Sequence, residues 1–227
     1  MWAWDGFVEA AARRARKRER EALYERLSDA IIGGDRDAVV AFLDAGAEPG
    51  GAKAENGMTM LMYAAYGGRA EAARLLLGRG ADPNAATASG LTALMYAQQS
   101  FDGHPDAVRV LLEHGADPNA ATDDGWTALM MAATSDSHLE AARALLDGGA
   151  GVNRRDSCDA RRLTSGMTAL MWAASLGCGR TVALLVERGA DVDLVDGEGL
   201  TALDMALRGL GNPRENIINV LRRGGAV

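Results

Sequence analysis

Cysteine is nearly absent: Cys158 and Cys178 are the two in a chain of 227 residues. Two thiols cannot build a disulfide framework, and no second pair stands near them at zinc-ligand spacing. A reducing compartment is the expectation. No run of about 18 apolar residues occurs, which excludes a membrane-spanning helix. The amino terminus lacks the order of a secretory leader, because Trp2, Trp4, Phe7 and Val8 precede the basic block instead of following it. A cytoplasmic protein is therefore expected. Surplus positive charge is missing too: 31 acidic residues face 24 basic ones, for a net charge of −7. That balance argues against a general nucleic-acid binder, since neutralising phosphates needs a basic face. Lysine is confined to Lys17 and Lys53, which by itself points to no function.

Catalytic and metal-binding constellations are missing as well. His104, His114 and His138 are expected on turns or second helices, with no i, i+4 pair and no cysteine cluster beside them, and surface positions are expected for all three. Gly177-Cys178-Gly179 is no phosphate loop, which would need a strand before it and Lys-Ser or Lys-Thr after it. No nucleophile is paired with a base. No catalytic residue, metal site or cofactor, and no small-molecule substrate, is expected.

What the chain does have is repetition. With 48% hydrophobic and 24% charged residues it can bury a core, and its punctuation is periodic. Thr59-Met60-Leu61-Met62, Thr92-Ala93-Leu94-Met95, Thr127-Ala128-Leu129-Met130, Thr168-Ala169-Leu170-Met171 and Thr201-Ala202-Leu203-Asp204 recur at spacings of 33, 35, 41 and 33 residues. Each has a glycine two positions earlier. Gly-Ala closes the intervening units at Gly80-Ala81, Gly115-Ala116, Gly149-Ala150 and Gly189-Ala190, and upstream at Gly46-Ala47.

This pattern resembles the ankyrin repeat, a unit of turn, tetrad-opened first helix, second helix and closing Gly-Ala-Asp. The resemblance covers roughly residues 25 to 227 in five or six copies. It implies an all-α solenoid of helix-turn-helix units with projecting β-hairpin-like fingers. The expected organisation is an N-terminal helix with a basic segment over 1–23, then a repeat domain over 24–227. Repeats are placed at about 24–53, 54–86, 87–121, 122–162, 163–195 and 196–227.

The physical chemistry of one unit agrees. The tetrad threonine can accept a hydrogen bond from a free backbone N–H and cap the first helix. A turn near Gly67-Gly68 breaks that helix, and a second is predicted from about Ala70 to Leu77. Gly80 ends it in a left-handed conformation. A unit of this size cannot bury enough surface alone, so stacking is obligatory. At the ends, Arg222 stands where Leu77, Leu112, Leu146 and Val186 stand in earlier repeats, and Asp204 replaces the methionine, as expected of a capping repeat. At the front Glu25 replaces the threonine, and Val8 to Arg20 reads as one more helix.

Two departures from the family pattern matter. Methionine or aspartate stands where the family has histidine, so Met62, Met95, Met130 and Met171 are predicted to pack as a soft apolar seam. The 41-residue spacing places about seven extra residues in the finger from Arg154 to Thr164, which should protrude. Its Arg154, Arg155, Arg161 and Arg162 make it locally basic.

The resemblance also implies that a ligand lies in the concave groove made by fingertips and first helices. The matching positions are Met58, Leu91, Trp126, Met167 and Leu200 at the finger ends. On the first helices they are Tyr63, Tyr96, Met131 and Trp172, then Tyr66, Gln99, Thr134 and Ser175 three residues on. Beyond residue 50 there are six aromatics, and five fall in these columns. Tyrosine and tryptophan dominate interface energies. The chain is thus expected to be a non-enzymatic scaffold or adaptor that holds another protein, binds no nucleic acid, and is a monomer when free. The alternative is an adaptor tethered to a membrane or nucleic acid by its basic N-terminal helix. Residues 1 to 26 carry seven Arg or Lys against five Asp or Glu, but the basic residues surround the helix and form no stripe opposite an apolar face.

Overall fold

The structure, a computed structural model, describes residues 2–51, 57–156, 166–208 and 214–225, with side chains from residue 9 onward. Its α-helices pair along the chain. First helices are α1 (Trp2–Gly33), α3 (Met60–Tyr66), α5 (Ala93–Ala97), α7 (Ala128–Ala132), α9 (Ala169–Leu176) and α11 (Ala202–Arg208). Second helices are α2 (Arg36–Asp44), α4 (Ala70–Gly78), α6 (Pro105–Glu113), α8 (Leu139–Asp147), α10 (Gly179–Glu187) and α12 (Glu215–Arg223). First helices stack on first helices and second on second, giving two parallel layers.

The tetrads start the first helices as the sequence implies. Thr59, Thr127 and Thr168 accept from the backbone N–H three residues on, and Thr201 does so at Asp204. Thr92 makes no such bond. The methionine seam is buried: Met62, Met95, Met130 and Met171 are at most 1% exposed. It also does something that packing does not explain. The thioethers of Met62 and Met171 reach back to the N–H of Thr59 and Thr168 at 3.3 and 3.4 Å, closing a capping box with sulfur as acceptor. In the last repeat the carboxylate of Asp204 takes that place.

Helix α1 differs from the expected division. One helix of 32 residues runs across residue 23 and includes the first helix of the first repeat. Between Val8 and Gly33 there is no glycine or proline to stop it, and with Glu25 in the threonine position nothing starts a new helix. Its C-terminal part is in the core through Tyr24, Leu27 and Ile31. Residues 9–22 are exposed on every side.

A ladder of side chains joins the repeats at the turn between first and second helices. Arg69, His104 and His138, each just before a second helix, reach back to carbonyls at the end of the preceding first helix or, for Ser100, just past it: Ile32 O, Tyr66 O and Ser100 O at 2.8, 3.1 and 2.8 Å. Arg214 bonds Ala174 O and Ser175 O in the same way. Ile32, Tyr66, Ala174 and Ser175 are among the last four residues of their helices, whose carbonyls find no partner within the helix. Cys178 holds that position in the fifth repeat and cannot donate so far. There Asp136 of the fourth repeat instead accepts from Arg180 N, Thr181 N and Thr181 Oγ1. The surface expectation therefore fails for His138, which is buried because its ring seals the joint between the third and fourth repeats.

Candidate functional site

In sequence the finger segments are 46–58, 80–91, 115–126, 149–167 and 189–200, and the same pair of hydrogen bonds closes the last four of them, over four residues in the second, third and fifth and over 11 in the fourth. The backbone of Thr87, Thr122, Asp156 and Asp196 donates to the carbonyl of Leu91, Trp126, Met167 and Leu200 respectively. The side chain of the same residue accepts from the N–H of that partner, at 2.8 to 3.2 Å. Hence the residue entering each first helix is fixed in direction by a two-way clasp. Antiparallel bridges Ala86–Thr92, Ala121–Thr127 and Arg155–Thr168 complete the hairpin-like shape. Neighbouring tips abut. A Cβ on Gly90, whose φ is +78°, would stand 2.9 Å from Thr122 Cα, so only glycine fits there. At the base of the fingers Asn84 and Asn119 each bridge to the next repeat, donating to Gly115 O and Gly149 O and accepting from Asp117 N and Gly151 N.

This scaffold sorts the candidate residues into three kinds. Tyr63, Tyr96 and Met167 are buried and belong mainly to the core. Burial pushes the Tyr96 hydroxyl above its ordinary pKa. Met58, Leu91, Trp126, Met131, Trp172 and Leu200 are half-buried, as are Thr134 and Ser175, whose hydroxyls turn back to Met131 O and Trp172 O. Tyr66, at 48% exposure, and Gln99 are open to solvent. Of the long finger, Arg154 and Arg155 are exposed, while Arg161 and Arg162 lie outside the described residues.

The strongest local assembly is the pair Trp126 and Trp172. Their ring centroids are 4.7 Å apart with planes tilted by 44°. Asp156, buried at the root of the fourth finger, accepts from Trp172 Nε1 through Oδ2 at 3.3 Å and from Met167 N through Oδ1. One aromatic comes from the end of the third finger, just before α7, and the other from α9, so the pair joins the fourth and fifth repeats.

The structure adds residues that sequence reading missed. Ile32, Phe101, Leu176 and Leu207 are exposed, with Phe101 at 88%, and all sit where a first helix ends and its turn begins. With Tyr66 they place an exposed apolar side chain at that end of the first helix in every repeat but the fourth, where Thr134 and Ser135 stand. The available signal was Phe101 itself, the one aromatic beyond residue 50 outside the three columns. A cavity of about 300 Å³ opens near Gly34, Val39, Gly68 and Arg69, and it contains none of the candidate partner-binding residues. Among the described residues no group of three or more His, Cys, Asp or Glu side chains could hold a metal ion. No helix among them is long and apolar enough to cross a membrane.

Comparison with known proteins agrees with this architecture. The family model for ankyrin repeats in three copies matches residues 27–122 and 102–156, and a second ankyrin-repeat model, of many copies, matches 170–221. The chain belongs to the ankyrin repeat family. The crystal structure of an ankyrin repeat domain from Acinetobacter baumannii AYE is similar to it at 30% identity and a TM-score of 0.74, covering 88% of this chain and 98% of that one. Ankyrin repeats are generally protein-binding scaffolds, and this chain has the repeat order, the two helical layers and the fingers of that family.

Proposed function

We propose that this ankyrin repeat protein is a non-enzymatic cytoplasmic scaffold or adaptor that holds a partner protein on the concave face formed by its fingers and first helices. One observation carries the reading: Trp126 and Trp172 are half-buried and in ring contact, and the indole N–H of Trp172 is held by Asp156. Large aromatics held rigid and only partly covered lose little entropy on binding and supply much contact area. The exposed Tyr66 extends the same face toward the second repeat. The long basic finger, through Arg154 and Arg155 and with Arg161 and Arg162 beyond, is proposed to steer an acidic group of the partner.

The test is affinity capture with wild type and with Trp126→Ala, Trp172→Ala and Tyr66→Ala, followed by mass spectrometry. A protein recovered by wild type and lost from the variants is expected. Recovery of the same protein with undiminished yield by all three variants would remove the function from this face.

A further inference from the structure

The convex and concave sides of the solenoid differ in how their charges are matched. On the second helices arginine meets carboxylate: Arg79 pairs with Asp44 at 2.9 Å, Arg188 with Asp147 at 2.6 Å, Arg109 with Asp106, and Arg74 with Glu113 of the next repeat. The fingers and first helices are matched differently. Beyond residue 57 their described cations are Arg154, Arg155 and Arg208. Against these the third finger alone carries Asp117, Asp123 and Asp124, and the fifth carries four carboxylates between Asp191 and Glu198. At the tips, Asp123 and Glu198 are exposed, and neither carboxylate has an ion-pair or hydrogen-bond partner among the described residues.

Three features therefore run along the stack in parallel. The acidic fingertips lie before the first helices, the half-buried Trp126–Trp172 pair lies at their floor, and the apolar row from Ile32 through Tyr66, Phe101 and Leu176 to Leu207 lies at their far end. The distance between the two edges follows from helix length. From α3 onward the first helices have five to eight residues, which at about 1.5 Å per residue is roughly 8–12 Å. An α-helix with its side chains is about 10–12 Å across.

We propose that this groove takes one amphipathic, cationic helix of a partner protein, laid along the stack across successive first helices. The inference rests on the concave-face reading above and adds the partner's chemistry. The partner's apolar stripe covers the row of Tyr66, Phe101 and Leu176 and meets the tryptophan pair. Its Arg or Lys residues face the third and fifth fingertips. Arg154 and Arg155 of the fourth finger interrupt that acidic edge, so cationic groups are excluded there and a carboxylate is accepted. Charge complementarity gives specificity and speed of association more than raw affinity, while the aromatic and apolar contacts supply most of the binding energy.

The test uses the full chain and three fluorescently labelled peptides of about 22 residues sharing one leucine stripe. Their polar faces are Arg and Lys, Gln, or Glu. Fluorescence polarisation is expected to show the cationic peptide bound at least about tenfold tighter than the neutral one, a difference of about 1.4 kcal/mol. Its affinity should fall as salt rises from about 0.05 to 0.3 M, and its helicity should rise on binding. Asp123→Asn with Glu198→Gln should weaken it severalfold, whereas Glu140→Gln on the convex side should not. Equal binding of all three peptides, lost in Trp126→Ala, would keep the groove and overturn the charge assignment. Cationic binding indifferent to both the tryptophan and the fingertip variants would place the contact elsewhere and overturn groove and assignment together, as would no binding of any peptide. A cationic peptide with a proline at its centre that bound equally well would overturn the helical form. Salt-sensitive self-association by sedimentation, abolished by Arg13, Arg14, Arg16 and Arg18→Gln, would assign the groove to the N-terminal helix of a second copy and overturn the foreign partner.

Discussion

Trp172 donates its indole N–H to Asp156, and through that bond the root of the longest finger sets the orientation of an aromatic ring on the next helix. The same carboxylate takes the backbone N–H of Met167, so one buried acid ties finger, helix entry and tryptophan together. Asp156→Ala leaves Met167 N–H buried without its acceptor and is expected to cost about 1–3 kcal/mol. Asp156→Asn keeps an oxygen in place and should cost less. Urea melts of the two variants decide this, and equal losses would show that the acceptor geometry is not what matters.

Stability and binding should separate at the aromatic face. Tyr66 is 48% exposed, so Tyr66→Ala should change stability by no more than about 0.5 kcal/mol while weakening a bound partner at least about tenfold. Trp126 and Trp172 are in tilted ring contact, and losing either removes a contact of about 0.5–1.5 kcal/mol in addition to area. Their variants should therefore melt earlier than Tyr66→Ala. The double variant should show a coupling of similar size in a mutant cycle. If all three melted several kcal/mol early and the refolded protein bound normally, these side chains would be core.

Position in the stack should govern the cost of a core cavity. Leu129 is 1% exposed in the fourth repeat, with a repeat on either side, and Leu129→Ala is expected to cost about 2–5 kcal/mol. Leu203 is 7% exposed on α11, which stacks on α9. Leu203→Ala should cost less, because fewer neighbours enclose it. Denaturant midpoints at equal m-value test the ordering, and equal losses would mean that the last repeat is as enclosed as the central ones.

Acid should loosen the last repeat through Asp204. Hydrogen bonds from the backbone N–H and the hydroxyl of Thr201, at 2.9 and 2.7 Å, hold the Asp204 carboxyl below its ordinary pKa. A lowered folded-state pKa gives stability that is fully present above the unfolded value of about 4 and is lost as pH falls through the folded value. Asp204→Asn should thus be less stable than wild type at neutral pH, with the gap closing as pH falls through the lowered folded-state value. Thermal melts across that range check the sign, and a gap that stayed constant with pH would exclude the ionised carboxylate as the cause.

The Cys178 thiol should resist modification. Burial, and next the nearby Asp136 carboxylate, push its pKa up, which lowers the reactive thiolate at neutral pH. In a Cys158→Ser background, labelling by a disulfide reagent is expected to be much slower than for an exposed thiol and to approach it on unfolding. Fast labelling of the folded protein would contradict the burial.

Repeat identity, helix starts and finger positions were legible in the sequence because each depends on local chemistry. A threonine caps, a glycine turns left, and the tetrad spacing counts residues per unit. The methionine seam was legible for the same reason, as a column at constant register. What the tertiary structure alone decided lies between repeats. Whether Tyr63 and Tyr96 are buried while Tyr66 is exposed depends on how closely the next first helix approaches, and residue type does not encode that distance. The burial of His138 arose because its ring meets Ser100 O from the preceding repeat. The pairing of Trp126 with Trp172, 46 positions apart in the chain, required the fourth and fifth repeats to stack. Local sequence specifies a solenoid unit by its backbone preferences, but a surface is composed only when units are superposed in space, and there the contacts join residues that share no local signal.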